Sequence, residues 1–315
     1  TLHYTAHTPR FHPSDFKVKT LDSISHDWPI SYFDLEKFYD ENDEMMGCSG
    51  ISGDPANPPR SERSFKPVPL GEDGEIIAKA FDRLGWHWWP SDSYVNSDHF
   101  KDNWKFYGSH ALMDRKSISS TDKNYLPEAI NNGAKLLTKC RVNKIILDNK
   151  KKAKGVTYIK DGKEFELKGD NVVLASNAIG TPRILLMSST VNHENGLGNS
   201  SGLLGKNLMF HPYAFIRGQF EGDNKFFNGP NANILMSQQF YETDTRRDFY
   251  RGFTLQMVRN NGPVFSSIEL DWGENHHNEF KDFFGNSIGF SIIAEDLPET
   301  TNFVSLDKKN KDSDG

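Results

Sequence analysis

Between the polar stretch ending at Asn171 and the small residues Ser176, Asn177, Ala178 and Gly180 stands the apolar run Val172-Val173-Leu174-Ala175. A short continuous apolar run suits a strand buried on both faces in a parallel sheet. The small residues let the backbone bend tightly and approach a ligand. Thr181 followed by Pro182 predicts an N-cap and first helical position, with a helix carrying Arg183 to Met187. Strand, small-residue turn and helix N-terminus form the crevice where open α/β folds hold nucleotide cofactors, because N–H groups and the helix dipole favour anions. An ordinary βα turn fits the same residue types, so pattern alone leaves both readings open.

Elsewhere the periodicity divides the chain. Ser31 as N-cap with Asp34 three residues on predicts a helix that places Leu35, Phe38 and Tyr39 on one face. Residues 47 to 71 hold Pro55, Pro58, Pro59, Pro67 and Pro69 without periodicity, and a loop of that length is usually functional or a lid. Helical spacing returns over Ile76 to Leu84. Trp86-His87-Trp88-Trp89-Pro90 reads as core packing or as a sugar platform. Ser119 to Asp122 precede a short helix over Tyr125 to Asn132 that ends near Gly133, and Lys135 to Leu147 reads as two strand-like pieces. Asp161-Gly162 predicts a hairpin between Gly155–Ile159 and Lys163–Leu167. Beyond Asn207, strands are expected over Tyr213–Phe220, Asn233–Phe240, Gly252–Val258, Ser266–Leu270, Ser287–Ala294 and Phe303–Leu306, in a mostly antiparallel sheet.

Composition narrows the function. At 315 residues with a formal charge of −6, the chain can bury a sizeable core and presents no basic field for nucleic acid. Lys150 to Lys154 reads as a solvated hairpin turn. Cys48 and Cys140 form neither a disulfide framework nor a metal spacing. The Glu274 to Glu279 stretch with its adjacent His276 and His277 reads as a solvated loop rather than a metal site. No apolar run approaches the ~20 residues of a membrane span, and the compartment stays open.

Val173 to Leu186, then Gly196 to Gly202 and Gly205 to Pro212, resemble the second signature and following loop of the glucose-methanol-choline (GMC) oxidoreductases. Thr1 to Phe11 resembles the flavin-contacting segment of the same family, in the branch with pyranose oxidase and the flavoprotein subunits of sugar and gluconate dehydrogenases. The resemblance implies an α/β (α+β) fold: the later half of a Rossmann-like FAD-binding domain with a mostly antiparallel-sheet substrate domain. Its expected divisions are 1–12 at the flavin, 13–117 as a cap region with the proline-rich loop, 118–196 for FAD, 197–307 for substrate, and a tail at 308–315. It implies FAD contacts from His3, Tyr4, Thr5, Ala6, Val142, Ala175, Ser176, Asn177, Ala178 and Gly180, with Thr5 near N5 and O4 and the Val142 backbone at the adenine. His3 matches the position that some relatives bond covalently to the ring and others leave unlinked.

The implied reaction is oxidation of a CH–OH group on a sugar, sugar acid or other alcohol by hydride transfer to flavin N5. A cytochrome or other electron-acceptor subunit is an implied partner. The family's catalytic histidine is expected beyond the tail, and so is its G-x-G-x-x-G turn before Thr1, so the chain reads as an internal portion with no catalytic residue assigned and none for metal. His211 matches a structural loop. A lyase on the same FAD-containing fold, or a non-catalytic subunit, is the alternative.

Overall fold

A computed structural model describes residues 6–100, 117–228, 233–259, 263–307 and 309–311. In chain order the elements are α1 (Val18–Asp22), α2 (Tyr32–Met46), α3 (Gly71–Leu84), β1 (Trp89–Pro90), α4 (Thr121–Asn124), α5 (Leu126–Asn131), β2 (Arg141–Leu147), β3 (Ala153–Lys160), β4 (Lys163–Lys168) and α6 (Asn177–Met187). They continue with β5 (Tyr213–Gln219), β6 (Asn233–Phe240), β7 (Phe253–Val258), α7 (Pro263–Ile268), α8 (His276–Phe283) and β8 (Ser287–Ala294). Two compact units result, one of Thr1–Gly133 with His211–Glu295, the other of Ala134–Phe210 with Asp296–Gly315.

The first unit is built on an antiparallel sheet in the order β1-β6-β7-β8-β5. Side chains alternate across a strand, so the pairings Leu255↔Ile292 and Met257↔Phe290 share one face while Thr254↔Ile293 and Gln256↔Ser291 share the other. The first face joins Leu235, Met257 and Ile288 to Ala78 and Phe81 of α3 in the apolar core. Each such fully buried side chain is worth ~1.5–3 kcal/mol. The second face is lined by Asn233, Thr254, Gln256 and Ser291, polar yet all no more than 9% exposed.

Helix α2 starts where the sequence predicts, because the Ser31 N–H and hydroxyl both donate to Asp34 Oδ2 at 2.8 Å. It ends at Gly47, whose φ of +68° and contact with Phe65 suit glycine: a Cβ there would meet that ring at 2.9 Å. The proline-rich stretch carries no helix or strand, and the Trp86–Trp89 cluster packs: Trp86 meets Phe240 edge-on and lies against Phe81.

In the second unit β2, β3 and β4 form an antiparallel meander. Its second hairpin turns on Asp161 and Gly162 at φ +50° and +74°, the left-handed pair that matches strand twist. Asp148 Oδ1 accepts the N–H of Lys150 and Lys152 and so closes the lysine-rich turn. Helix α6 packs on β2 through buried Ile184, and the Ile145 N–H donates to Ser188 Oγ at 2.9 Å.

Several expectations fail. Residues 171–175 and 135–139 belong to no strand, and Val173 is 88% exposed. A strand is defined by a ladder, and among the described residues neither segment has a neighbour to bond. The organising helix begins five residues early, with Pro182 inside it; the hydrogen bond this removes would have gone to the carbonyl of exposed Ala178. Ser266 to Ile268 are helical instead, because Pro263 at the first position presets α7, and Glu269 and Leu270 turn out of it. Phe303–Leu306 makes only an isolated bridge to Lys206. The Glu274–Glu279 stretch leads into α8 rather than a loop, and His276 stacks on Trp272.

Candidate functional site

The turn before α6 is shaped by Asn177. Its φ is +61°, and its Oδ1 accepts the N–H groups of Ile179 (2.9 Å) and Gly180 (3.0 Å). Asparagine tolerates this backbone, and its short amide satisfies donors that otherwise point out of the helix. Thr181 serves from inside the helix: its Oγ1 accepts the Ser176 N–H at 3.2 Å. The capping bonds expected of Thr181 are therefore made by Asn177, the first residue of α6, and two N–H groups expected to face an anion are already taken. The turn keeps an accessible surface. Ala175, Asn177 and Ala178 are exposed, and a Cβ on Gly180 would press on Ser176 Cβ at 3.1 Å. The turn is small, uncharged and open, with polar side chains at Ser176 and Asn177. Val142 lies in β2, the strand of the same unit that α6 packs against, and pairs with Tyr158 of β3.

The other expected contacts belong to the first unit. His3, Tyr4 and Thr5 lie outside the described residues. Ala6 is the first described residue, with φ +56°, and its carbonyl accepts the Tyr94 N–H at 2.8 Å. From there the chain is fastened to the unit by polar side chains. His7 Nδ1 accepts from Asn233 Nδ2 at 2.6 Å. Burial lowers the His7 pKa to about 4, outweighing nearby Gln256, which favours the protonated ring, so the ring is neutral.

Arg10 donates to Asp40 (2.7 Å) and Asp43 (2.5 Å), and its cation lies against the Tyr39 ring. Burial opposes that charge, but bonds to Asp40 and Asp43 outweigh it and raise the pKa further. His12 accepts at Nε2 from Gln238 Nε2 (2.7 Å), which leaves Nδ1–H to donate to Glu242 at 2.9 Å. Asp15 accepts from the Tyr241 hydroxyl at 2.7 Å and from Arg251.

These anchors keep step. His7 meets Asn233 and His12 meets Gln238, so residues 7–12 track β6 in the same direction. The proline-rich loop is tied down by the same node: Gln238 Oε1 accepts from Asn57, and its backbone N–H donates to His87 Nδ1. His87 Nε2 in turn donates to Asp54 at 2.8 Å. Arg60 and Arg63 bind Asp92, and Arg60 also reaches Asp43. Around Arg251 gather Asp15, Asp22, Glu242 and Glu295. Burial raises Asp15 and Glu295 above the usual carboxylate range in spite of that cation, and raises Tyr241 as well.

Sequence reasoning singled out none of His7, Arg10, His12, Asp15, Gln238 or Arg251. The available signal was four ionisable side chains crowded into residues 7–15 beside two prolines. His211 is exposed and outside every strand. Cys48 is buried, which with nearby Asp92 and Asp43 pushes its thiol up to about 12 and makes it a poor nucleophile. Among the described residues no His, Cys, Asp and Glu cluster has metal-binding geometry, and no helix is long and apolar enough to cross a membrane.

The sequence matches a family described as GMC oxidoreductase over residues 67–213. It is 39% identical to the 2-methyl-1,2-propanediol dehydrogenase of Mycolicibacterium austroafricanum, over all of this chain and 60% of that protein. It is 24% identical to the fructose dehydrogenase large subunit of Gluconobacter japonicus, over all of this chain and 59% of that protein. Identity to the gluconate 2-dehydrogenase flavoprotein of Pantoea cypripedii is 25%, over 67% of this chain and 39% of the relative. The chain thus spans about three-fifths of the length of the first two relatives.

Proposed function

The chain belongs to the GMC oxidoreductases, a generally flavin-dependent family, and from that premise we propose that it is part of an FAD-dependent enzyme oxidising CH–OH in a small polyol or sugar. The observation that carries this reading is the full-chain identity of 39% to a diol dehydrogenase, within which the exposed small-residue turn at 175–180 falls inside the matched family region. FAD, when bound, supplies the acceptor for the hydride that leaves the carbon as the hydroxyl gives up its proton.

This chain's residues hold and orient. Ala175 to Gly180 lie along the cofactor in this reading, with the Val142 backbone at the adenine and the second unit as the later half of the FAD-binding domain. His3 to Ala6 approach the ring, and a Thr5 hydroxyl donates to its reducible edge. The first unit's sheet serves the substrate. Its polar face offers hydroxyls, including the Tyr213–Ser291 pair at 2.7 Å, and such uncharged groups match hydroxyls better than carboxylates. Electrons then pass to a separate acceptor such as a cytochrome subunit.

Anaerobic titration of the full-length holoenzyme with 1,2-diols, sugars and sugar acids tests the proposal. Bleaching of the flavin band by a diol or sugar is expected; a protein without flavin, or a flavin that none of them reduces, refutes it. Acid precipitation of the same holoenzyme sorts the two forms of attachment, since only a covalent bond at His3 keeps flavin in the pellet.

A further inference from the structure

Residues 6–8 are gripped from two sides. On the backbone side, His7 forms an antiparallel bridge with Ser93, the Ala6 carbonyl accepts the Tyr94 N–H, and the Thr8 N–H donates to the Asp92 carbonyl at 3.0 Å. Ser93 is itself bridged to Ser49, so the platform beneath is braced rather than a free edge. On the side-chain side, the His7 imidazole accepts a hydrogen bond from Asn233 of β6. Asn233 Nδ2 also donates to Gln256 Oε1 (3.3 Å), and Gln256 Nε2 to Thr254 Oγ1 (3.2 Å), so the ring is joined to a polar row two strands wide.

Immediately before this grip the chain makes a strained step. Ala6 at φ +56° occupies the left-handed region, which costs a residue with a Cβ about 1–2 kcal/mol. Such strain persists only where the surroundings over-determine it, and it concentrates where geometry serves function. An apolar side chain at position 7 fills space, but it fixes neither direction nor register. An imidazole bonded to the Asn233 amide, which is itself bonded to Gln256 on the next strand, fixes both.

We propose that His7 is a positioning residue of the oxidation, setting the path of the segment that leads through Ala6 to Thr5 and His3. This rests on the reading that those residues approach the flavin. His7 itself transfers no proton and touches no reacting atom; it holds residues 6–8 in the one course that the Ala6 step extends. A displacement of about 1 Å at a reacting group costs on the order of a hundredfold in rate, so loss of this anchor is read in kcat rather than in flavin retention.

The test compares His7→Leu and His7→Asn in the full-length holoenzyme with a reducing diol or sugar. Asparagine keeps a polar atom near the Nδ1 position for Asn233; leucine does not. In the leucine variant kcat is expected to fall ten- to a hundredfold, roughly, with KM little changed, a shifted flavin absorption band and wild-type flavin content, while the asparagine variant recovers most of the rate and the wild-type band. Asn233→Leu, which removes the partner from the other side, should reproduce the shifted band if His7→Leu fails to fold. An unshifted band with unchanged kcat in a folded His7→Leu overturns the assignment. So does a parallel fall of melting temperature, flavin content and kcat in leucine and asparagine variants alike, which marks a merely structural residue. A wild-type protein without flavin absorbance overturns the flavoprotein reading, and this assignment with it.

Discussion

Asp73 and Arg259 are 1% and 2% exposed, and their pairing gives the fold a sharp test. Arg259 Nε donates to Asp73 Oδ2 at 2.9 Å, while Nη2 reaches Asp73 Oδ1 and the Leu70 carbonyl, each at 2.5 Å. The pair joins the first turn of α3 to the residue just past β7. Asp73→Ala leaves a buried guanidinium without its carboxylate, and removing one partner of such a pair costs about 3–5 kcal/mol. It also removes an acidic side chain from a helix N-terminus, a smaller loss of ~0.3–1 kcal/mol. At ~2–4 °C per kcal/mol for a unit of this size, the melting temperature should drop by about 6–20 °C.

Replacing both partners with apolar residues of similar volume, Asp73→Leu with Arg259→Met, removes the stranded charge. That double variant should melt within a few degrees of wild type, or above it, because desolvating a pair offsets most of its attraction. Thermal melts followed by tryptophan fluorescence, with flavin content measured alongside, decide the matter. A double variant as unstable as Asp73→Ala refutes the stranded-charge reasoning and points to lost packing. A single variant that melts with wild type refutes the buried bidentate pair itself.

Two further predictions follow from the turn and the loop. Ala178→Phe places a ring on the exposed surface at the start of α6; overpacking of about 1–3 kcal/mol against a bound cofactor corresponds to roughly 5- to 150-fold weaker flavin binding, and unchanged flavin content after desalting the full-length variant counts against that surface as the cofactor edge. Asp54 is half-buried, which raises its pKa, but bonds from His87 and from the Ala56 N–H outweigh burial and hold it below its ordinary 3.8. A depressed carboxylate contributes stability that is fully present above the unfolded pKa and lost as pH falls through the folded one. Hydrogen exchange across residues 51–64, corrected for intrinsic rates, should therefore accelerate below pH ~4; Asp54→Asn should lack that step, and an identical step in the variant shows that another group controls the loop.

What the chain's pattern reveals is what depends on neighbours in sequence. β6 and β8 run over the predicted Asn233–Phe240 and Ser287–Ala294, because apolar side chains recur at the strand period there. Ser31 with Asp34, and Asp161 with Gly162, are local chemistry and act as local chemistry predicts. Residues 171–175 have the composition of a buried strand, but composition cannot supply the neighbouring strand that a ladder requires. Asn177 competes with Thr181 for the cap and wins because its amide reaches two N–H groups from a left-handed backbone. The fastening of residues 7–15 was illegible for another reason: its partners Asn233, Gln238, Tyr241 and Arg251 lie more than 220 residues away, and no periodicity announces a polar contact at that separation.

That fastening explains why the segment is held by charges and amides at all. Residues 7–15 offer little apolar surface to bury: Phe11 is 61% exposed, Pro9 is exposed, and the buried side chains are Arg10 and His12. Hydrophobic contact would tolerate sliding by a residue or two, whereas each hydrogen bond here has one partner and one direction. His7 with Asn233 and His12 with Gln238 admit a single register, since a shift by one residue leaves both rings facing the wrong side chains. Buried ion pairs such as those of Arg10 and Arg251 add little net stability beyond what apolar packing supplies, because desolvation offsets most of the attraction. What they add is uniqueness of position, and a chain segment that meets a cofactor needs its position fixed more than it needs to be held tightly.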